Sequence, residues 1–175
     1  MHNKIRYYVF CSLSLLLIGL LPGCRDWFNK DSSSVTQEQT NFKVISVNDA
    51  ETHNDASIAG SIHIPFEKFD NLGSFTQSWP KNTPMVVYCT NYECTASKII
   101  AKKLKELGFI DVKVYSGGVA EWYQLAQKDP SYKVVGPQTQ EYLKKEMQPS
   151  ASITDVPTIT AQELHDRMKD AGLIQ

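Results

Sequence analysis

Cys89 is the residue of this chain best placed to do chemistry. It ends a nearly continuous apolar run, Pro84-Met85-Val86-Val87-Tyr88, and opens a short loop, Thr90-Asn91-Tyr92-Glu93-Cys94-Thr95, that leads straight into a helical pattern. In open α/β sheets, ligands bind beyond the carboxyl ends of the strands, where the following helix turns its N-terminus to the crevice. Backbone N–H groups of such a loop and first helical turn stabilise a thiolate and lower its pKa below that of a free cysteine. They would also hold an anionic group carried on the sulfur. Thr90, Asn91, Tyr92, Glu93, Cys94 and Thr95 are therefore expected to form an amide cradle around a nucleophilic Cys89, which the charge of Glu93 opposes. The competing use of such a cysteine is as a small buried hydrophobe.

Neighbouring chemistries fit less well. A phosphatase-type Cys-x5-Arg loop would need arginine where Thr95 stands. A zinc site would want more ligands: Cys89 and Cys94 have only His53 and His63 upstream, at no ligand-like spacing, so neither metal nor cofactor is expected. The two histidines read as solvated or structurally bonded. Cys94 is expected to support the loop rather than bridge to Cys89. A bridge needs Cα atoms within about 7 Å, and a loop wrapped around a pocket tends to hold its rim residues apart. A Cys89–Cys94 redox pair stays open as an alternative, favoured by an oxidising compartment. Tyr92 either lines the pocket mouth or lies exposed.

The elements that must position this loop are legible as alternating runs. Strands are expected at 43–47, 61–64, 84–88 and 111–115, and helices at 95–107 and 119–127, with Gly117-Gly118 as a turn. The helix at 95–107 places Ala96, Ile99, Ile100, Leu104 and Leu107 on one face, and Gly108 stops it. Strands alternating with helices imply an α/β domain whose parallel sheet is covered on both faces. Composition agrees: 42% of 175 residues are hydrophobic and 21% charged, as in one ordinary globular domain. The 18 basic and 19 acidic residues leave a net charge of −1, which gives no electrostatic footprint for nucleic acid. Four cysteines are too few for a disulfide scaffold.

Residues 1–23 read as an export signal, with Lys4 and Arg6 ahead of a charge-free stretch at 9–21 that contains Cys11. That stretch is short for a spanning helix, which needs about 20 apolar residues. Leu21-Pro22-Gly23-Cys24 resembles the lipobox of bacterial lipoproteins. The resemblance implies cleavage before Cys24, its acylation, and a membrane-tethered location in the bacterial cell envelope, facing the periplasm or the cell exterior. Two or more acyl chains would suffice for stable anchoring. An uncleaved anchor or an ordinary signal is the alternative. Residues 24–41 are polar and read as a tether.

A family resemblance rests on several motifs together. Val86-Val87-Tyr88-Cys89, the loop to Cys94, the following helix, Gly108-Phe109, Val112 and Gly117-Gly118-x-x-x-Trp122 resemble the rhodanese-like domain, as does Gly60-Ser61-Ile62-His63-Ile64-Pro65 upstream. The resemblance implies a domain at 42–137 with a central parallel sheet of about five strands. It implies that Cys89 carries a persulfide during sulfur transfer, with a small sulfane-sulfur donor and a thiol or cyanide acceptor. A non-catalytic rhodanese-like module that binds a protein partner or a reactive sulfur species is the competing reading. The chain departs from the family's usual pattern at Ser46-Val47-Asn48 and Ala56-Ser57-Ile58-Ala59-Gly60, and in lacking arginine in the loop, though Cys89, Cys94 and Ser97 resemble a recurring Cys-x4-Cys-x2-Ser variant. Trp122 is expected in the core.

Residues 138–175 form a C-terminal extension. A helix is expected at 139–147, then a linker. Thr160 and Glu163 make a capping box that opens a helix with Leu164 and Met168 four apart and Gly172 past its end. Ile159-Thr160-x-x-Glu163-Leu164 resembles the first helix of another rhodanese-like domain. The extension is thus expected to be the truncated start of a second repeat, a helix with no sheet of its own to cover. Docking on the first domain is the alternative.

Overall fold

The computed structural model describes residues 41–145, 149 and 155–175. The export signal, Cys11, Cys24 and nearly all of the tether lie outside the described residues. Four strands, β1 (Lys43–Ser46), β3 (Ile62–His63), β4 (Met85–Tyr88) and β5 (Val112–Tyr115), form one parallel sheet in the order β3-β1-β4-β5. Their register ends the strands on one level: Ser46 pairs with His63 and with Tyr88, and Tyr88 with Tyr115. Cys89 is the first residue beyond that row. The sheet has four strands rather than about five.

Side chains alternate across each strand, so the sheet feeds two cores. Val44, Val86 and Tyr88 face Trp122 of α4 (Gly118–Ala126) and Leu164 and Met168 of α5 (Ala161–Asp170). Ile45, Met85, Val87 and Cys89 join the other core, with Leu72 of α2 (Leu72–Thr76) and Ile100, Ala101 and Leu104 of α3 (Ala96–Glu106). Burial on both faces is why these strands read as continuous apolar runs. A short helix, α1 (Ala50–Asp55), starts where Asp49 accepts the Thr52 N–H at 2.8 Å. A small antiparallel pair, β2 (Ser57–Ile58) with β6 (Val134–Val135), lies apart from the main sheet.

Local differences from expectation have local causes. Gly117 and Gly118 are not a free turn but the N-cap and first residue of α4. The helix expected at 139–147 is a 3-10 turn at Glu141–Lys144, and residues 146–148 lie outside the described residues. No helix among the described residues is long and apolar enough to cross a membrane.

The expectation of a C-terminal helix with no sheet to cover is corrected. Val114 N–H donates to Pro157 at 2.9 Å and Ile159 N–H donates to Val114 at 3.0 Å, so the tail runs parallel along the outer edge of β5. The capping box forms in full, with Thr160 accepting from Glu163 N–H and the Glu163 carboxylate accepting from Thr160 N–H. Leu164 and Met168 are fully buried against Trp122 and the sheet. Arg167 reaches Asp111 at 3.4 Å and lies over the Phe42 ring. An unpaired edge and an open apolar face were available on this domain, and the tail fills both.

Candidate active site

The loop after β4 is anchored at its base by the start of α4. Val119 N–H donates to the Cys89 carbonyl at 3.0 Å, and Ala120 N–H to the Thr90 carbonyl at 2.9 Å. Only glycine permits this approach. Gly118 has φ +63°, and a Cβ there would lie 2.5 Å from the Cys89 carbonyl oxygen and the Thr90 carbonyl carbon. At the loop's crown, the Tyr92 hydroxyl donates to Glu121 at 2.9 Å. Burial, then the hydrogen bond and charge of Glu121, push Tyr92 up to about 12. Tyr92 is therefore a fixed strut, neither a loose rim residue nor an exposed one.

The loop then folds on Asn91. The Asn91 side-chain carbonyl accepts from Glu93 N–H at 3.0 Å, and its backbone carbonyl accepts from Cys94 N–H at 3.2 Å. Two of the amides expected in the cradle are thus engaged inside the loop, and Glu93 points its carboxylate from an exposed position. The turn brings the Cys94 Cα to 6.4 Å from that of Cys89, and the two sulfurs are bonded. The expectation that the loop holds these residues apart is corrected: a turn at Asn91, not a wide arc, sets their separation, which falls inside the bridging range.

Cys89 itself is 1% exposed and Cys94 is half-buried. The Ser97 hydroxyl, also buried and set in the first turn of α3, lies 3.4 Å from Cys89 Sγ. With that sulfur bonded to Cys94, the hydrogen between them belongs to Ser97. Thr95 is the N-cap of α3; its side chain makes no cap hydrogen bond, while its backbone carbonyl accepts from Lys98 N–H and Ile99 N–H, both at 3.1 Å. The Ser97 hydroxyl is thus the polar group that the first turn of α3 sets against the buried sulfur. Sequence reasoning singled out the loop but not Ser97, Glu121 or Gly118 as its supports; the Cys-x2-Ser spacing into the first helical turn was the available signal for the first.

The remaining candidates sit nearby or in the core. Asn48 is buried just beyond β1, its backbone carbonyl accepting from His63 Nε2 at 2.8 Å, and its side-chain nitrogen has no hydrogen-bond partner among the described residues. His53 and His63 stack with ring centroids 4.0 Å apart, and burial first, then the neighbouring His63, hold His53 below its ordinary value. His63 is structurally bonded, as expected, whereas His53 Nδ1 is buried with no hydrogen-bond partner among the described residues. Trp122 is fully buried and donates to the Lys133 carbonyl at 3.1 Å, a core role.

The rhodanese-like domain family matches residues 31–125, more than half of the chain. The chain belongs to the rhodanese-like domain family. No curated protein matches it significantly. Among solved structures it is similar to a Bacillus halodurans protein, 27% identical over 60% of this chain and 71% of that one, with a TM-score of 0.48. A Rhodanese_3 like domain from Anabaena sp. is 30% identical over 48% of this chain and 92% of that one, with a TM-score of 0.41. The thiosulfate sulfurtransferase of Pseudomonas aeruginosa is 16% identical over 59% of this chain but only 18% of its own, with a TM-score of 0.46. In this rhodanese-like domain the family match ends within α4, so the tail that pairs with β5 lies beyond it.

Proposed function

We propose that this rhodanese-like domain is a sulfurtransferase that moves a sulfane sulfur through a persulfide on Cys89. The observation that carries the reading is the setting of Cys89 Sγ: just beyond the strand ends, 3.4 Å from the Ser97 hydroxyl, at the uncapped start of α3. The working form is the dithiol. Cys89 thiolate attacks the sulfane sulfur of a donor, the donor's S–S bond breaks, and the donor leaves with the electron pair. Ser97 and the first-turn amides of α3 stabilise the thiolate before the step and the persulfide anion after it. A thiol or cyanide then attacks the outer sulfur and returns Cys89 as thiolate. No metal or cofactor is needed at any step.

The export signal and Cys24 add a location to this proposal: a lipid on Cys24 holds the domain at a bacterial envelope membrane, with no role for nucleic acid. Incorporation of labelled fatty acid, lost in Cys24→Ala, tests it. The catalytic reading is tested by intact mass. At early times after mixing with a sulfane donor, the reduced chain should gain one sulfur, about 32 Da, and Cys89→Ser should gain none. Cyanide should then release thiocyanate from the loaded chain. Equal loading of Cys89→Ser and wild type, or no loading of either, would leave only the non-catalytic binding module. The Cys89–Cys94 disulfide favours a second reading, a thiol–disulfide redox protein. It predicts exchange with a dithiol and no mass gain from sulfane donors.

A further inference from the structure

We infer that Cys94 is the resolving thiol for a persulfide on Cys89, so that the domain can end its cycle by releasing hydrosulfide. The inference rests on the sulfur-transfer reading above and adds a second outcome to it. In the structure, the sulfur bonded to Cys89 Sγ is that of Cys94. A transferred sulfur would occupy the same valence of the same atom. Disulfide and persulfide are therefore mutually exclusive states of Cys89, and converting one to the other is a displacement at Cys89 Sγ.

The loop geometry favours that displacement. The Cα atoms of Cys89 and Cys94 are 6.4 Å apart, and the loop between them is held at both ends, by the α4 amides on Cys89 and Thr90 and by Asn91 on Cys94. Little further ordering is needed to bring Cys94 onto Cys89. Starting from the persulfide anion on Cys89 and the Cys94 thiol, Cys94 Sγ attacks Cys89 Sγ. The Sγ–Sγ bond forms, the bond to the outer sulfur breaks, and that sulfur leaves with the bonding pair. It takes the proton lost by Cys94 and departs as hydrosulfide. Two cysteine sulfurs are oxidised to the disulfide and one sulfane sulfur is reduced to sulfide, so electrons balance within the site.

Resetting the site requires a dithiol reductant, and the two sulfurs are unequal towards it. Cys89 is buried whereas Cys94 is half-buried, so the incoming thiolate meets Cys94 first. Cys89 then leaves as the thiolate that Ser97 and α3 stabilise, and a more stable leaving thiolate departs faster. The second thiol of the reductant frees Cys94. The domain thereby has two exits for one loaded sulfur, delivery to an acceptor or release as sulfide. Access of the acceptor decides between them.

The test uses the full chain, reduced with a dithiol, freed of reductant and given one equivalent of thiosulfate, whose leaving group on loading is sulfite and not sulfide. Without any acceptor, wild type should release sulfide, trapped with monobromobimane, in step with disulfide formation. Cys94→Ser and Cys94→Ala should instead keep the mass gain of about 32 Da and release no sulfide. Sulfide release from both Cys94 variants at the wild-type rate would overturn the inference. So would a wild-type persulfide as long-lived as theirs. Absence of any mass gain in the Cys94 variants would sink the sulfur-transfer reading itself, a result distinct from the other two.

Discussion

Helices α3 and α5 flank the same sheet and start in opposite ways. The start of α5 is closed, with Thr160 and Glu163 satisfying each other's backbone donors and Leu164 and Met168 sealed into the core. Thr95 leaves the start of α3 without a side-chain cap, and the first turn sets the Ser97 hydroxyl 3.4 Å from the sulfur of Cys89. A cap is worth about 0.5–2 kcal/mol, so an open helix start forgoes stability that the rest of the domain must supply. The difference separates two duties. The α5 face holds the sheet together, and the start of α3 sets a hydroxyl donor against the sulfur of Cys89.

Breaking the stable side should give the largest effect. Leu164→Ala empties a fully buried site shared with Trp122 and should cost about 2–5 kcal/mol by urea unfolding, while leaving the rate of Cys89 alkylation in the reduced folded chain unchanged. On the reactive side, Ser97→Ala should slow iodoacetamide alkylation of reduced Cys89 near neutral pH by about three- to tenfold, with little change in stability. Thr95→Asp would give α3 the closed start that α5 has. Its carboxylate should raise the Cys89 pKa, slowing alkylation by about two- to fivefold while strengthening the helix. Glu93→Gln probes the weakest influence: the carboxylate is exposed, so alkylation should quicken by less than about twofold, and the gain should vanish at high salt. Equal alkylation rates across all three loop and helix-start variants would erase the contrast between the two helices.

How much of this was legible depends on how local the determining contacts are. The strand 85–88 and helix 96–106 declare themselves through an unbroken apolar run and a one-sided apolar pattern, each decided within a dozen residues. Cys89 followed from its place between them. The disulfide did not, because the separation of Cys89 and Cys94 depends on how Asn91 turns the chain, and spacing alone fits an arc as well as a turn. The capped helix of the tail was visible in Thr160 and Glu163, but its docking was not. Pairing of Val114 with Thr158 joins residues far apart in sequence, and a capping box carries no information about which sheet lies beneath. Asn48 shows the same limit: its departure from the family pattern is plain, while the unpartnered side-chain nitrogen follows from the packing around β1.

The tail's seat along β5 also bears on solubility. A parallel sheet ends in two rows of backbone donors and acceptors that can recruit a strand from another chain. Here one such border, β3, is only two residues long, and the other is occupied where Val114 exchanges hydrogen bonds with Pro157 and Ile159. Pro157 brings no N–H of its own to extend that row. The segment that completes the core therefore also guards the rim. Chains in which it is displaced would be expected to self-associate through β5 before they unfold, a tendency that light scattering of Leu164→Ala on mild heating would reveal.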